Sequence, residues 1–233
     1  MLILWHCDDA RSFRALWSLE ELGLDYSLKM LPFPPRLYQK EYLSENPLGT
    51  IPLLVDGDVR LTESSAIPHY LSVKYGNGRF ARQASDFDYG DYLNWVFHGE
   101  ATLTFPQTIF IRYTMLETPE RRQPSVGEDY RKWFLARLRL TEQTLEDGRS
   151  NILGTGFSNA DISVGYAILL ANIIGLGEDV PPNTRTWYES LTNREGFKRA
   201  QQAQDEELAK SGFKKSSEVF SSFSLGRAPK TQP

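Results

Sequence analysis

The apolar pattern changes once along this chain, and that change most constrains its fold. From Leu2 to Tyr75 short apolar runs alternate with segments of helical period; from Asp86 onward only the helical period remains. Leu2 to Cys7 reads as a strand buried on both faces. Ser12 to Leu22 reads as a helix, with Phe13, Leu16, Trp17 and Leu19 on one side and Gly23 placed to stop it. Tyr26 to Leu31 predicts a second strand. After Pro32-Phe33-Pro34-Pro35, residues Arg36 to Ser44 predict a second helix ended by Asn46-Pro47. Pro52 to Val55 and Val59 to Thr62 flank Asp56-Gly57 as a hairpin, and Ser64 to Tyr75 closes the segment as a helix. The order is β-α-β-α-β-β-α.

Gly76-Asn77-Gly78 breaks the pattern and Arg79 to Ser85 forms a polar connector. Pro106 is expected to kink or end the first long helix, because it lacks a backbone donor and crowds the preceding turn. A second long helix is predicted from Val126 to Leu145 and a third from Ser158. There Ser158 caps, Asp161 takes the place usual for Glu or Gln, and Phe157 is set to staple onto Ile162. Shorter helices are expected at Arg185 to Leu191 and Glu195 to Leu208. The fold class is therefore α/β plus all-α: a mixed domain over residues 1–78, an all-helical domain over 86–208, and a tail over 209–233.

Charge and composition exclude several functions. Lys and Arg number 26 against 30 Asp and Glu in 233 residues, a formal net charge of −4 that argues against a nucleic-acid partner. One cysteine excludes an internal disulfide framework, and His6, His69 and His98 are scattered, so no metal is expected. The longest apolar stretch, Ile162 to Leu176, is too short for a bilayer and is interrupted by Ser163 and Asn172, so no membrane partner is expected. Met1 to Trp5 lacks a basic lead-in, and a reduced, cytoplasmic setting is the expectation.

Three features of the mixed domain converge on one ligand site. Gly49-Thr50-Ile51-Pro52 leads into the third strand; proline is tolerated there, and spacing alone does not choose a cis over a trans bond. Thr62-Glu63-Ser64-Ser65 marks a strand giving way to a helix, where free N–H groups and the Ser64 hydroxyl suit a carboxylate and Glu63 suits an ammonium. The alternative is that Ser64 only caps the helix. The loop Cys7-Asp8-Asp9-Ala10-Arg11-Ser12 lies beyond the carboxyl end of the first strand, where ligands gather. Arg11 is a cation at a helix start, which serves either a bound anion or a pairing with Asp8 or Asp9.

Asn46-Pro47-Leu48-Gly49-Thr50-Ile51-Pro52, followed by Thr62-Glu63-Ser64-Ser65-Ala66-Ile67, resembles the glutathione-binding signature of the glutathione S-transferase family. Leu19-Glu20-Glu21-Leu22-Gly23 resembles that family's first helix, and Phe157-Ser158-Asn159-Ala160-Asp161-Ile162 its helical-domain cap. The resemblance runs from Leu2 to about Leu208. It implies a thioredoxin-like first domain, glutathione as co-substrate, a hydrophobic electrophile as second substrate and a homodimer. Pro52 would be the cis proline that leaves the Ile51 backbone to pair with the cysteinyl unit. Glu63 and Ser64 would hold the γ-glutamyl end, and Arg36 or Thr50 the glycine carboxylate.

The departure lies at the activating position. A gap-free match puts Arg11 where bacterial members carry cysteine and Cys7 where some members carry serine, with no tyrosine in the loop. Arg11 and Ser12 are the candidates to stabilise a thiolate; Cys7 reads as a buried hydrophobe or a partner in a mixed disulfide with glutathione. An electrophile pocket is expected between the domains, with Tyr92, Trp95, Phe97, Phe105, Tyr113 and Trp133 available to line it, though such a stripe also serves a core. The readings that follow are a glutathione transferase, a glutathione-dependent disulfide or peroxide reductase, and a non-catalytic binding scaffold. In the tail, Val219 to Leu225 is expected to pack into a groove of its own chain or a dimer partner, near the ligand site.

Overall fold

The computed structural model describes residues 1–224. Four strands, β1 (Leu2–His6), β2 (Tyr26–Met30), β3 (Leu53–Asp56) and β4 (Val59–Leu61), form one sheet in the order β2-β1-β3-β4. β1 runs parallel to β2 and antiparallel to β3, with Leu4 opposite Leu28 on one side and Leu54 on the other. β1 is thus central, which explains its near-continuous apolar run. β3 turns through Gly57, at φ +58°, into antiparallel β4, the expected hairpin.

Helix α1 (Phe13–Leu22) follows β1 and is buried along most of its length. Gly23 ends it at φ +66°, its N–H bonding Glu20 O while Leu24 N bonds Leu19 O. The expected helix over Arg36 to Ser44 is instead two pieces, α2 (Pro35–Tyr38) and a 3₁₀ turn at Lys40–Ser44, broken at Gln39. Only Tyr42 of that later turn is buried, too little apolar surface to propagate a continuous helix. Helix α3 (Ala66–Lys74) begins two residues later than expected.

Next come α4 (Tyr89–Phe97), α5 (Phe105–Ile111), α6 (Pro124–Thr144), α7 (Asn159–Ile173), α8 (Pro182–Thr192), α9 (Glu195–Ser211) and α10 (Ser216–Ser224). Pro106 interrupts the first long helix as expected, but through a widened π-type turn at His98–Thr104 placed just before it. A proline that removes an N–H and crowds the turn before it is accommodated by such widening. Ser158 caps α7, accepting from Ala160 N, while Asp161 accepts from Ser158 N at 2.8 Å, so the expected capping box forms with Asp in place of Glu. The α8 helix starts three residues earlier than expected, at Pro182, a residue suited to a first helical turn.

The chain separates into two compact units. The first holds residues 1–81 with 193–219; the second holds 82–192 and, among the described residues, 220–224. In the first unit α9 lies on α1, with the Phe197 ring edge-on to Trp17 at 5.0 Å and 5.3 Å from Phe13. Glu21 completes that contact, accepting two bonds from Arg194 at 2.7 and 2.8 Å and one from Trp17 Nε1 at 3.0 Å. In the second unit α7 is buried nearly throughout and serves as the central helix.

The expected tail is partly helical. Val219 and Phe220 are buried, and Ser216 is buried as well. Of the residues expected to hold it, Leu225 lies outside the described residues.

Candidate functional site

The approach to β3 is held rigidly by its own side chains. Asn46 Nδ2 donates to Thr50 O at 2.7 Å, Tyr42 Oη donates to the same carbonyl at 2.8 Å, and Leu48 N donates to Asn46 Oδ1 at 3.1 Å. Both protein donors converge on Thr50, so the backbone just before Ile51 is fixed, and the Ile51–Pro52 bond is cis. Phe33–Pro34 is a second cis bond, which the sequence alone did not distinguish. Gly49, at φ +59°, lies so close to α2 that a Cβ there would sit 2.8 Å from Arg36 Cβ. The fold therefore brings Arg36 beside Gly49-Thr50, and both Arg36 and Thr50 are exposed.

At the start of α3 the Glu63 carbonyl accepts from Ala66 N and Ile67 N, while the Glu63 side chain is exposed. Ser64 is buried, and its hydroxyl oxygen accepts from Arg14 Nη1 at 2.9 Å. The cap position belongs to Ser65, so Ser64 stands just before α3 and does not cap it. Arg14 is itself wholly buried on α1. No motif in the sequence marks it; its place between Phe13 and Ala15-Leu16-Trp17 on the apolar first half of α1 was the available signal.

The loop after β1 is tightly committed. Ser12 Oγ accepts from Cys7 N at 3.3 Å and is buried, so its hydroxyl closes the loop. Cys7 Sγ lies 3.6 Å from Pro32 O, and burial together with the adjacent Asp8 charge pushes its thiol well above the usual range. Asp9, in the left-handed region at φ 49°, is clasped by Gln204 of α9: its N–H donates to Gln204 Oε1 and its carboxylate accepts from Gln204 Nε2, both at 2.8 Å. Since that amide oxygen accepts, His6 Nε2 donates to it at 2.8 Å, and burial drives His6 down to about 4. Asp8 accepts from Ser216 N at 2.6 Å, and Ser216 Oγ donates to Asp8 O. Burial, with Asp9 beside it, raises the Asp8 carboxyl to about 6. Arg11 stands half-buried between this clasped stretch and α1.

Of the aromatic residues named for a second substrate, Tyr92 and Trp95 are buried in the second unit, whereas Phe97, Phe105 and Trp133 are at least 46% exposed. Tyr113 lines a cleft of about 430 Å³ with Ile109, Gln123, Val126 and Tyr130. Among the described residues no three His, Cys, Asp or Glu side chains gather as a metal site, and no helix is long and apolar enough to cross a membrane.

A four-stranded mixed sheet with a cis proline at the start of β3, followed by a helical region, defines a thioredoxin-like two-part protein. The family model for the glutathione S-transferase N-terminal domain matches residues 1–73. Glutathione S-transferase GstB of Escherichia coli is 28% identical over 203 residues, covering 83% of this chain and 94% of that protein. Glutathione S-transferase 3 of Schizosaccharomyces pombe is 33% identical over 103 residues, where the match spans 44% of this chain and 43% of the yeast protein. A solved glutathione transferase from Methylococcus capsulatus superposes with a TM-score of 0.78 at 21% identity, over 88% of this chain and 99% of that one, a likeness of fold. Residues 1–73 thus match the N-terminal domain of the glutathione S-transferase family, and most of the chain is similar to proteins of that name.

Proposed function

We propose that this protein binds glutathione on its first unit and transfers the glutathione thiolate to a hydrophobic electrophile. One observation carries the reading: the cis Ile51–Pro52 peptide and the Arg14-held Ser64 lie at the starts of β3 and α3 in one sheet unit. Ile51 offers backbone groups to the cysteinyl unit. Ser64 and Glu63 take the γ-glutamyl carboxylate and ammonium, and Arg36 with Thr50 takes the glycine carboxylate. Arg11 stabilises the thiolate by charge, without a general base, and Ser12 acts through the loop it closes. Relatives named glutathione S-transferases support a transferase.

Two further expectations belong to this reading. The glutathione-binding domain is residues 1–78, followed by helices over 86–208. The working form is a cytoplasmic two-fold homodimer, and light scattering at micromolar concentration should give twice the chain mass; a monomer would contradict it.

Retention on immobilised glutathione and turnover with a chloro-aromatic acceptor test the proposal together. Retention with turnover supports it. Retention with reduction of a disulfide or peroxide but no conjugation makes the protein a reductase. Retention without turnover of any acceptor makes it a scaffold, and absence of retention overturns the glutathione reading.

A further inference from the structure

We infer that Arg14 is a positioning residue for the ligand carboxylate, acting through Ser64; this rests on the glutathione reading above. A guanidinium carries only donors, so in the 2.9 Å contact between Arg14 Nη1 and Ser64 Oγ the serine oxygen must accept. That occupies a lone pair and leaves the serine proton to be given elsewhere. Ser64 is thereby turned into a donor toward an anion. It precedes α3, whose first N–H groups favour negative charge.

Placement strengthens the effect. Arg14 is wholly buried on α1, and Ser64 is only 4% exposed. A fixed positive charge in a region poor in water acts at longer reach and greater strength than one on the surface. The serine hydroxyl relays that charge to the ligand as a hydrogen bond, while the guanidinium itself stays covered. The loop and α1 thus contribute two cations of different kind: Arg11, half-buried in the loop, and Arg14, buried on α1 behind Ser64. The first addresses the sulfur, and the second addresses the amino-acid end.

The test compares the affinity of glutathione with that of its analogue amidated at the γ-glutamyl α-carboxylate, by titration calorimetry. The wild-type chain should prefer the acid by about tenfold or more, since hydrogen bonds to charged groups are the stronger class. Ser64→Ala should erase most of that preference. Arg14→Met should lower it at least about threefold, and Arg14→Lys, which restores a cationic donor, should keep part of it. A merely structural Arg14 would weaken both ligands alike and leave the ratio unchanged. An unchanged ratio in folded Arg14→Met, or in Ser64→Ala, overturns the inference. Should Arg14→Met fail to fold, the Arg14→Lys and Ser64→Ala ratios decide by the same criterion. A wild-type chain that binds neither form refutes the glutathione reading, whereas a chain that binds both equally refutes only the role of Arg14.

Discussion

Arg11 is a cation just before α1, placed in the proposed function beside the glutathione thiolate. Arg11→Ala should therefore raise the apparent pKa of bound glutathione thiol and lower turnover roughly tenfold or more, the scale of one lost oxyanion-type contact. Cys7→Ala should change turnover little, because the Cys7 thiol is buried and held protonated. Thiol titration by ultraviolet absorbance and steady-state rates check both; the reverse pattern would make the chemistry that of the cysteine. His6 at the end of β1 and Asp8 in the loop after it titrate in opposite senses. His6, about 4 when folded against 6.5 ordinarily, contributes stability that is full above pH 6.5 and lost as pH falls toward 4. Asp8, about 6 against 3.8, contributes stability that is full below pH 3.8 and lost as pH rises through 6. Between pH 4 and 6 these two contributions oppose each other. Relative to the wild-type profile of urea midpoints, His6→Asn should tilt stability toward a decline with rising pH and Asp8→Asn toward a decline with falling pH; parallel profiles in all three proteins would contradict this. The placement of Pro52 at the entry to β3 and of Glu63 and Ser64 just before α3 was legible in the sequence because each stands in a short local motif. Gln204 and Ser216, 195 and 208 residues from the groups they hold, carry no local signal that could have named them.

Elements were legible where one periodicity acts alone. β1, α1, the hairpin and the cap of α7 follow from patterning, a left-handed glycine and an N-terminal serine. The break at Gln39 and the widened turn before Pro106 were not, because both depend on what the segment packs against. Gly99 shows this for the widened turn: a Cβ there would sit 2.4 Å from Ser163 Oγ and 2.5 Å from the Ser163 backbone carbon of α7. Ser163 Oγ itself donates to Val96 O at 2.7 Å, so it is not free to retreat. The turn and α7 are therefore locked at a separation that only glycine permits. Gly99→Ala should destabilise the protein by about 1–3 kcal/mol through overpacking, despite the better helix propensity of alanine. Chemical denaturation measures it, and a neutral or stabilising effect would mean that the turn shifts to make room.

At the scale of the whole molecule the question is what the chain beyond α9 does. Its composition, rich in Ser, Lys and Gly, reads as a segment that frays, and only its few apolar residues argued otherwise. α10 resolves the conflict, because its first residue is spent on Asp8 while Val219 and Phe220 are buried. Burying a valine and a phenylalanine contributes about 1.5–3 kcal/mol each before ordering costs are subtracted. Ser216 adds two hydrogen bonds that satisfy the Asp8 carbonyl and one of its carboxylate oxygens. That places α10 as the far clamp on the loop that carries Arg11, with Gln204 as the near one. Truncation after Gly212 should therefore lower unfolding stability by about 2–4 kcal/mol, the net of burial against regained chain entropy. It should also cut turnover, because the loop keeps Gln204 but loses its hold on Asp8. Retention on immobilised glutathione should survive, since Pro52, Ser64 and Arg14 lie outside that loop contact. Urea unfolding, acceptor turnover and glutathione retention on the truncated chain separate the three effects. If stability and turnover both match the full-length protein, α10 contributes nothing in solution and the clamp is refuted.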